Sequence, residues 1–210
     1  MTNILVFGDS ITYGAWDKEG GWVQRLRKFI DGKNLTNPDF YCLICNLGIS
    51  GNTSEDLLRR FESETKERVE EGEETIIMFA IGSNDSQFVC GKNKIRKQKF
   101  QDNLQKLTDS ARKFSSKIIF IGLFPSDDSK TTPIPWDITK SYKNEHIKQY
   151  NKIIKSICSK NKIYFIEIFE DFIKLNYQQL LEDGLHPNSE GHEKIFQRVK
   201  DFLMKKEIIK

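Results

Sequence analysis

The chain has 210 residues, of which 38% are hydrophobic and 30% charged, and its net charge at neutral pH is +3. That is enough apolar material for one buried core, and the charges are too evenly mixed for a nucleic-acid footprint, which gathers basic residues on one face. No apolar segment approaches the ~20 residues of a membrane helix. The apolar run at 4–7 is too short for a secretion signal and lacks a basic flank, so a cytoplasmic protein without a membrane span is expected.

In chain order, short apolar runs alternate with helical periods. Strands are predicted at 3–7 (NILVF), 40–45 (FYCLIC), 75–81 (TIIMFAI), 117–123 (KIIFIGL) and 163–168 (IYFIEI). Each is nearly continuous in apolar residues, the pattern of parallel strands covered on both faces. Between them, Trp22, Val23, Leu26, Phe29 and Ile30 make a helical stripe, as do Phe100, Leu104, Leu107, Ala111 and Phe114 within 97–114. Ile147, Tyr150, Ile154 and Ile157 mark a third helix over 143–158, and Ile195, Val199, Phe202 and Leu203 a last one over 192–203. A mostly charged helix over about 54–71 rests on Leu57, Leu58 and Phe61. The β-α alternation with right-handed crossovers gives an α/β fold, a five-stranded parallel sheet between two helix layers. With no repeat, linker or low-complexity stretch, residues 1–210 read as one domain. The exception is 124–140 (FPSDDSKTTPIPWDITK), a loop long enough to be either functional or a rigid surface excursion. The cysteines Cys42, Cys45, Cys90 and Cys158 form no disulfide framework. Cys42 and Cys45 sit three apart on a strand and so face opposite sides, which disfavours a shared metal or redox pair.

Ligands of a doubly wound sheet bind outside the carboxyl ends of its strands. There the chain places Gly8-Asp9-Ser10, then Gly48 with Gly51 and Asn52, then Gly82-Ser83-Asn84-Asp85, and after the last strand Asp183-Gly-Leu-His186. Each part has a plain structural reading. Ser10 can cap a helix. Gly51 can be a turn glycine ahead of a cap at Asn52 or Thr53, and Asn84 can brace a loop. Taken together they are a parts list for acyl transfer: nucleophile, base, orienter and oxyanion donors. The turn Asp183–His186 can fold a carboxylate onto an imidazole, fix its tautomer and leave the other ring nitrogen for serine. Of the other two histidines, His146 falls in a helical period and reads as surface, and His192 has no carboxylate at comparable spacing.

These four blocks, GDS, the glycine after strand two, G-x-N-D and D-x-x-H, together resemble the SGNH (GDSL-like) hydrolase family across residues 4 to about 203, with Ile11 at the fourth position of the GDSL motif. The resemblance implies a flavodoxin-like three-layer α/β/α sandwich with an exposed site and no metal or other cofactor. It implies Ser10 as nucleophile, His186 as general base and Asp183 as its partner. The Ser10 N–H, the Gly51 N–H and the Asn84 amide would form the oxyanion hole. Tyr13, Trp16, Phe88 and Trp136 are candidates to line the substrate pocket. The expected partner is a small-molecule acyl ester, of short chain because the sequence is short and without large insertions; a thioester or a lysophospholipid is the alternative within the family. A non-catalytic phosphate or nucleotide binder is the alternative from another class, although GDSITYG has neither G-x-G-x-x-G nor Walker spacing.

Overall fold

The computed structural model describes residues 1–135 and 137–209; Trp136, one of the expected pocket residues, lies outside the described residues. From the amino terminus, β1 (Thr2–Gly8) leads through α1 (Ser10–Tyr13) and α2 (Gly21–Thr36) to β2 (Cys42–Gly48). Next come α3 (Ser54–Lys66), β3 (Glu74–Ala80), α4 (Ser83–Ser86) and the short strands β4 (Phe88–Val89) and β5 (Lys92–Asn93). After α5 (Lys97–Ala111) and β6 (Lys117–Ile121), a long segment holds α6 (Asp128–Thr131) and β7 (Lys140–Ser141). Beyond it lie α7 (Asn144–Asn161), β8 (Tyr164–Ile166), α8 (Phe169–Phe172), a 3-10 turn at Tyr177–Leu180 and α9 (Ser189–Lys205).

The main sheet is parallel in the order β2-β1-β3-β6-β8. Counting only its own strands, that is 2-1-3-4-5, the flavodoxin-like order. Side chains alternate between its faces, as the strand period of two requires. Ile4, Val6, Ile76, Met78, Ile119 and Ile121 pack under α2 and α9 against Trp22, Leu26, Ile195 and Val199. Leu5, Phe7, Ile77, Phe79, Ile118 and Phe120 pack on the other face against Phe61, Phe100, Leu104 and Tyr150 of α3, α5 and α7. The Phe61 ring lies 5.0 Å from Phe7 and 5.4 Å from Phe79, and Phe79 lies 4.8 Å from Phe120. Truncating one such ring to Ala costs about 3–5 kcal/mol. Cys42 belongs to the first core and Cys45 packs on the second, so the pair straddles the sheet.

The boundaries differ from the apolar runs in an instructive way. β2 begins two residues later than its run and continues through Asn46 to Gly48, because Asn46, Leu47 and Gly48 pair with Val6, Phe7 and Gly8. The polar Asn46 hides that extension in the sequence, and backbone register carries it. Gly8 is thereby set level with Gly48 on one side and Ala80 on the other, so three strands end at one line. The antiparallel sheet β5-β4-β7 is absent from the sequence reading; its strands are too short to show a period.

Caps fix the turns at the strand ends. Asp9, not Ser10, caps α1: its carboxylate accepts from the Ile11 N–H at 3.0 Å, which leaves the serine hydroxyl unengaged by the helix. Thr53 and Asp56 form a reciprocal capping box on α3, worth about 1 kcal/mol. Among the described residues no helix is long and apolar enough to cross a membrane.

Candidate active site

The carboxyl edge of the sheet brings Ser10, Asp183 and His186 together. Ser10 Oγ lies 3.0 Å from His186 Nε2, and His186 Nδ1 lies 2.7 Å from Asp183 Oδ2. The carboxylate accepts the proton on Nδ1, so the lone pair on Nε2 faces the serine hydroxyl. Asp183 Oδ1 accepts from the Leu185 and His186 N–H groups at 2.9 and 2.8 Å, which folds the turn onto itself. The turn is closed from outside by Glu182 N–H to the His186 carbonyl at 2.8 Å. Asp127 N–H donates to the Gly184 carbonyl at 2.7 Å and docks it on the long loop. Gly184 has φ +89°, and a Cβ there would sit 2.7 Å from the Lys130 Cβ, so the turn accepts only glycine without a shift. Partial burial raises the Asp183 carboxyl, but the hydrogen bonds and charge of His186 and the Leu185 N–H outweigh it and hold the group well below the usual carboxylate range.

Three residues that carry N–H donors line the same cleft. Ser10 opens α1, where a first-turn amide has no intrahelical acceptor. Gly51 has φ +81°, a backbone that side-chain-bearing residues rarely adopt, and a Cβ on it would point into open space. Its glycine is required by that dihedral rather than by crowding. Among the described residues neither the Ser10 N–H nor the Gly51 N–H donates a hydrogen bond. The Asn84 amide gives one proton to the Asn52 carbonyl at 3.0 Å and keeps the other. Ser10, Gly51, Asn84 and His186 line one open cleft of about 970 Å³. A carbonyl entering it meets a hydroxyl with a base behind it and donors for its oxygen, the arrangement that acyl transfer needs.

Several residues that hold this site carry no signal in the sequence. The Tyr142 hydroxyl donates to Asn84 Oδ1 at 2.9 Å, fixing which end of the amide is the donor. Burial, with the Asp9 and Asp183 charges adding to it, pushes the Tyr142 phenol above its usual range, so it stays a donor. Arg60 reaches back from α3 to the Leu47 carbonyl at 2.8 Å and Asn52 Oδ1 at 2.8 Å, fastening the Gly51 loop to the ends of the strands. Asp85, fully buried, accepts from the Ser54 N–H and hydroxyl, joining α4 to α3 and so Asn84 to the Gly51 loop. Burial pushes its carboxyl up to about 7, and it pushes Asp9, directly before the nucleophile, up to about 6. These contacts span from 8 to 58 residues, and no local spacing announces them. The one available signal for Tyr142 is its place just beyond the long loop.

The expected pocket residues divide. Tyr13 and Trp16 line the cleft at its mouth, 60% and 66% exposed. Phe88 does not line it: α4 turns the chain into β4, and the ring packs on His146 at 5.2 Å. His146, expected at the surface, is half-buried in that contact and pairs with Asn93. The cleft instead has an apolar flank of Ile134, Tyr142 and Leu185, supplied by the long loop and the Asp183–His186 turn. His192 is buried behind α2, where it accepts from the Trp22 N–H at 3.3 Å, and burial pushes its imidazole down to about 4.

Residues 6–194 match the GDSL-like Lipase/Acylhydrolase family. The chain belongs to that family and is an ester-hydrolysing enzyme. Among curated proteins it is similar to the uncharacterized lipoprotein YqeF of Bacillus subtilis, at 26% identity over 90% of this chain and 82% of that one. It is also similar to the isoamyl acetate-hydrolyzing esterase of Saccharomyces cerevisiae, at 27% identity over 91% and 81% of the two chains. Among solved structures, the lipase/acylhydrolase from Enterococcus faecalis superposes with a TM-score of 0.76 at 22% identity, covering 98% of this chain and 97% of that one, which shows the shared fold.

Proposed function

We propose that the enzyme is a serine esterase that cleaves short-chain acyl esters through an acyl-enzyme. The observation that carries this reading is the relay from Ser10 through His186 to Asp183, at 3.0 and 2.7 Å, opening on a cleft with unengaged N–H donors. Ser10 Oγ attacks the acyl carbonyl as its proton passes to His186 Nε2, and the carbonyl oxygen takes the negative charge. The Ser10 and Gly51 N–H groups and the free Asn84 proton stabilise that oxygen. As the tetrahedral intermediate collapses, the bond to the alcohol oxygen breaks and His186 returns its proton there. Water then gives a proton to His186, attacks the acyl carbon and releases the acid, and Ser10 regains its proton.

Short chains are favoured because the buried apolar flank is small, Ile134, Tyr142 and Leu185, with Tyr13 and Trp16 exposed at the cleft, and because a relative is named for hydrolysing an acetate ester. A phosphate- or nucleotide-binding role is disfavoured by Asp9. Its own carboxylate already occupies the amino end of α1, where an anion would have to sit.

A p-nitrophenyl ester series from C2 to C12, run on the wild type and Ser10→Ala, tests the reading. Turnover is expected to peak at C2–C4 and to vanish in the variant. A rate that climbs steadily to C12 would point to a lysophospholipase instead, preference for the matching thioester to a thioesterase, and activity retained by Ser10→Ala would remove the nucleophile assignment.

A further inference from the structure

The Asp183 carboxylate has four lone-pair sites for hydrogen bonds. Three are taken by its own turn: the Leu185 and His186 N–H groups on Oδ1, and the His186 ring N–H on Oδ2. The fourth donor comes from the opposite side of the cleft. Trp16 Nε1 lies 3.1 Å from Asp183 Oδ2, the same oxygen that receives the imidazole proton, and 3.1 Å from His186 Nδ1; with Nδ1 carrying the proton it gives to Asp183, only the carboxylate can accept from the indole. The indole stands edge-on to the imidazole, with ring centres 5.9 Å apart and planes at 86°.

Burial does not explain this placement. Trp16 is two-thirds exposed, and its backbone has φ +66°, a conformation that a residue with a Cβ adopts only where its surroundings hold it. The surroundings do hold it. The neighbouring Asp17 carboxylate is buried and accepts from the Glu19 N–H at 3.1 Å, the Gly21 N–H at 2.9 Å and the Arg25 guanidinium. Arg25 also bonds Ser189 and Glu193 on α9. The segment between α1 and α2 is thus clamped at its base, with Trp16 beside the clamp and its N–H aimed across the cleft. The indole lines both the main cleft and an open depression beside it, which Glu182, Asp183 and His186 line with it.

We propose that Trp16 is a positioning residue of the relay: its indole N–H completes the Asp183 hydrogen-bond shell, and its ring stands edge-on against the imidazole that the carboxylate holds. A carboxylate with all four sites filled cannot rotate without losing a bond, so the imidazole it holds stays aimed at Ser10. The inference rests on the reading of Ser10, His186 and Asp183 as the catalytic relay.

Trp16→Phe keeps a flat ring and removes the donor, and Trp16→Ala removes both. The readouts are kcat and KM on p-nitrophenyl acetate and the rate at which a fluorophosphonate labels Ser10, which needs no knowledge of the natural substrate. Trp16→Phe is expected to lower kcat and the labelling rate together by about three- to tenfold, the size of one ordinary hydrogen bond, with KM changed by less than about twofold. Trp16→Ala is expected to lower both further. If Trp16→Phe labels and turns over at the wild-type rate, or if either variant changes KM alone, Trp16 only lines the cleft and the inference falls by itself. If Ser10 of the wild type does not label at all, the relay reading falls and takes the inference with it.

Discussion

The two halves of the site are built differently. Ser10, Gly51 and Asn84 come after β1, β2 and β3, adjacent strands whose ends are levelled by backbone pairing at Gly8, Gly48 and Ala80. Asp183 and His186 ride on an irregular turn outside the main sheet, with hydrogen bonds to itself, to Asp127 and to Trp16. Nucleophile and oxyanion donors therefore inherit the rigidity of the core, whereas the base depends on local bonds. Substitutions on the turn should damage catalysis without loosening the fold, and those on the strand side should loosen the fold before they alter the geometry.

Asp183→Asn sharpens this contrast most. Its amide N–H₂ would face His186 Nδ1 and reverse the tautomer, so a loss of about 10³–10⁴ in kcat is expected at an unchanged melting temperature. A fall within tenfold would show that the turn does not set the base. Asn84→Ala should cost about 10²–10³ in kcat by removing one oxyanion donor. Tyr142→Phe leaves that donor in place but frees the amide to flip, and a drop of about three- to tenfold in kcat is expected, with KM little changed; equal activity would mean that the Asn52 carbonyl alone orients Asn84. On the strand side, Thr53→Ala removes the cap of α3 and should lower unfolding free energy by about 1 kcal/mol with kcat nearly intact, which urea titration and steady-state rates together can check.

Acid sensitivity offers a smaller, separate test. His192 is buried, and burial lowers its pKa from 6.5 to about 4. Between those values the unfolded chain binds a proton that the folded chain refuses, so stability is lost as pH falls through that window, by up to about 3 kcal/mol. His192→Gln keeps an acceptor for the Trp22 N–H and removes the titration. Its denaturation midpoint should decline less than that of the wild type from pH 7 to pH 4, and parallel curves would locate the acid sensitivity elsewhere.

The same division separates what is legible in the sequence from what is not. The five strands are visible because their runs are almost purely apolar, and β1, β3 and β6 are buried on both faces. The pairing of Asp183 with His186 is visible because three residues suffice to fold one onto the other. Ser10, Gly51 and Asn84 are visible because each stands just past a strand. Where a role depends on a distant partner the sequence is silent. Tyr142 and Asn84 are 58 residues apart, and neither residue's flanks point to the other. Trp16 reads only as an aromatic near Ser10, since its bond to Asp183 spans 167 residues. Phe88 misleads for the complementary reason: closeness in sequence to Asn84 suggests the cleft, but the four-residue α4 reverses the chain and sends the ring to His146. Part of the long loop belongs to the cleft, since Ile134 joins its apolar flank. Asp127 is tied to the Gly184 carbonyl and Thr131 to Tyr142.

The central claim is that Ser10 is a nucleophile activated by His186. The most direct test is intact-protein mass spectrometry after exposure to a fluorophosphonate, with the modified residue located by peptide mapping. A single adduct on Ser10 of the wild type, absent from Ser10→Ala and strongly slowed in His186→Ala, is the expected result. A wild-type protein that remains unmodified while folded, or an adduct that persists in Ser10→Ala, would contradict the claim.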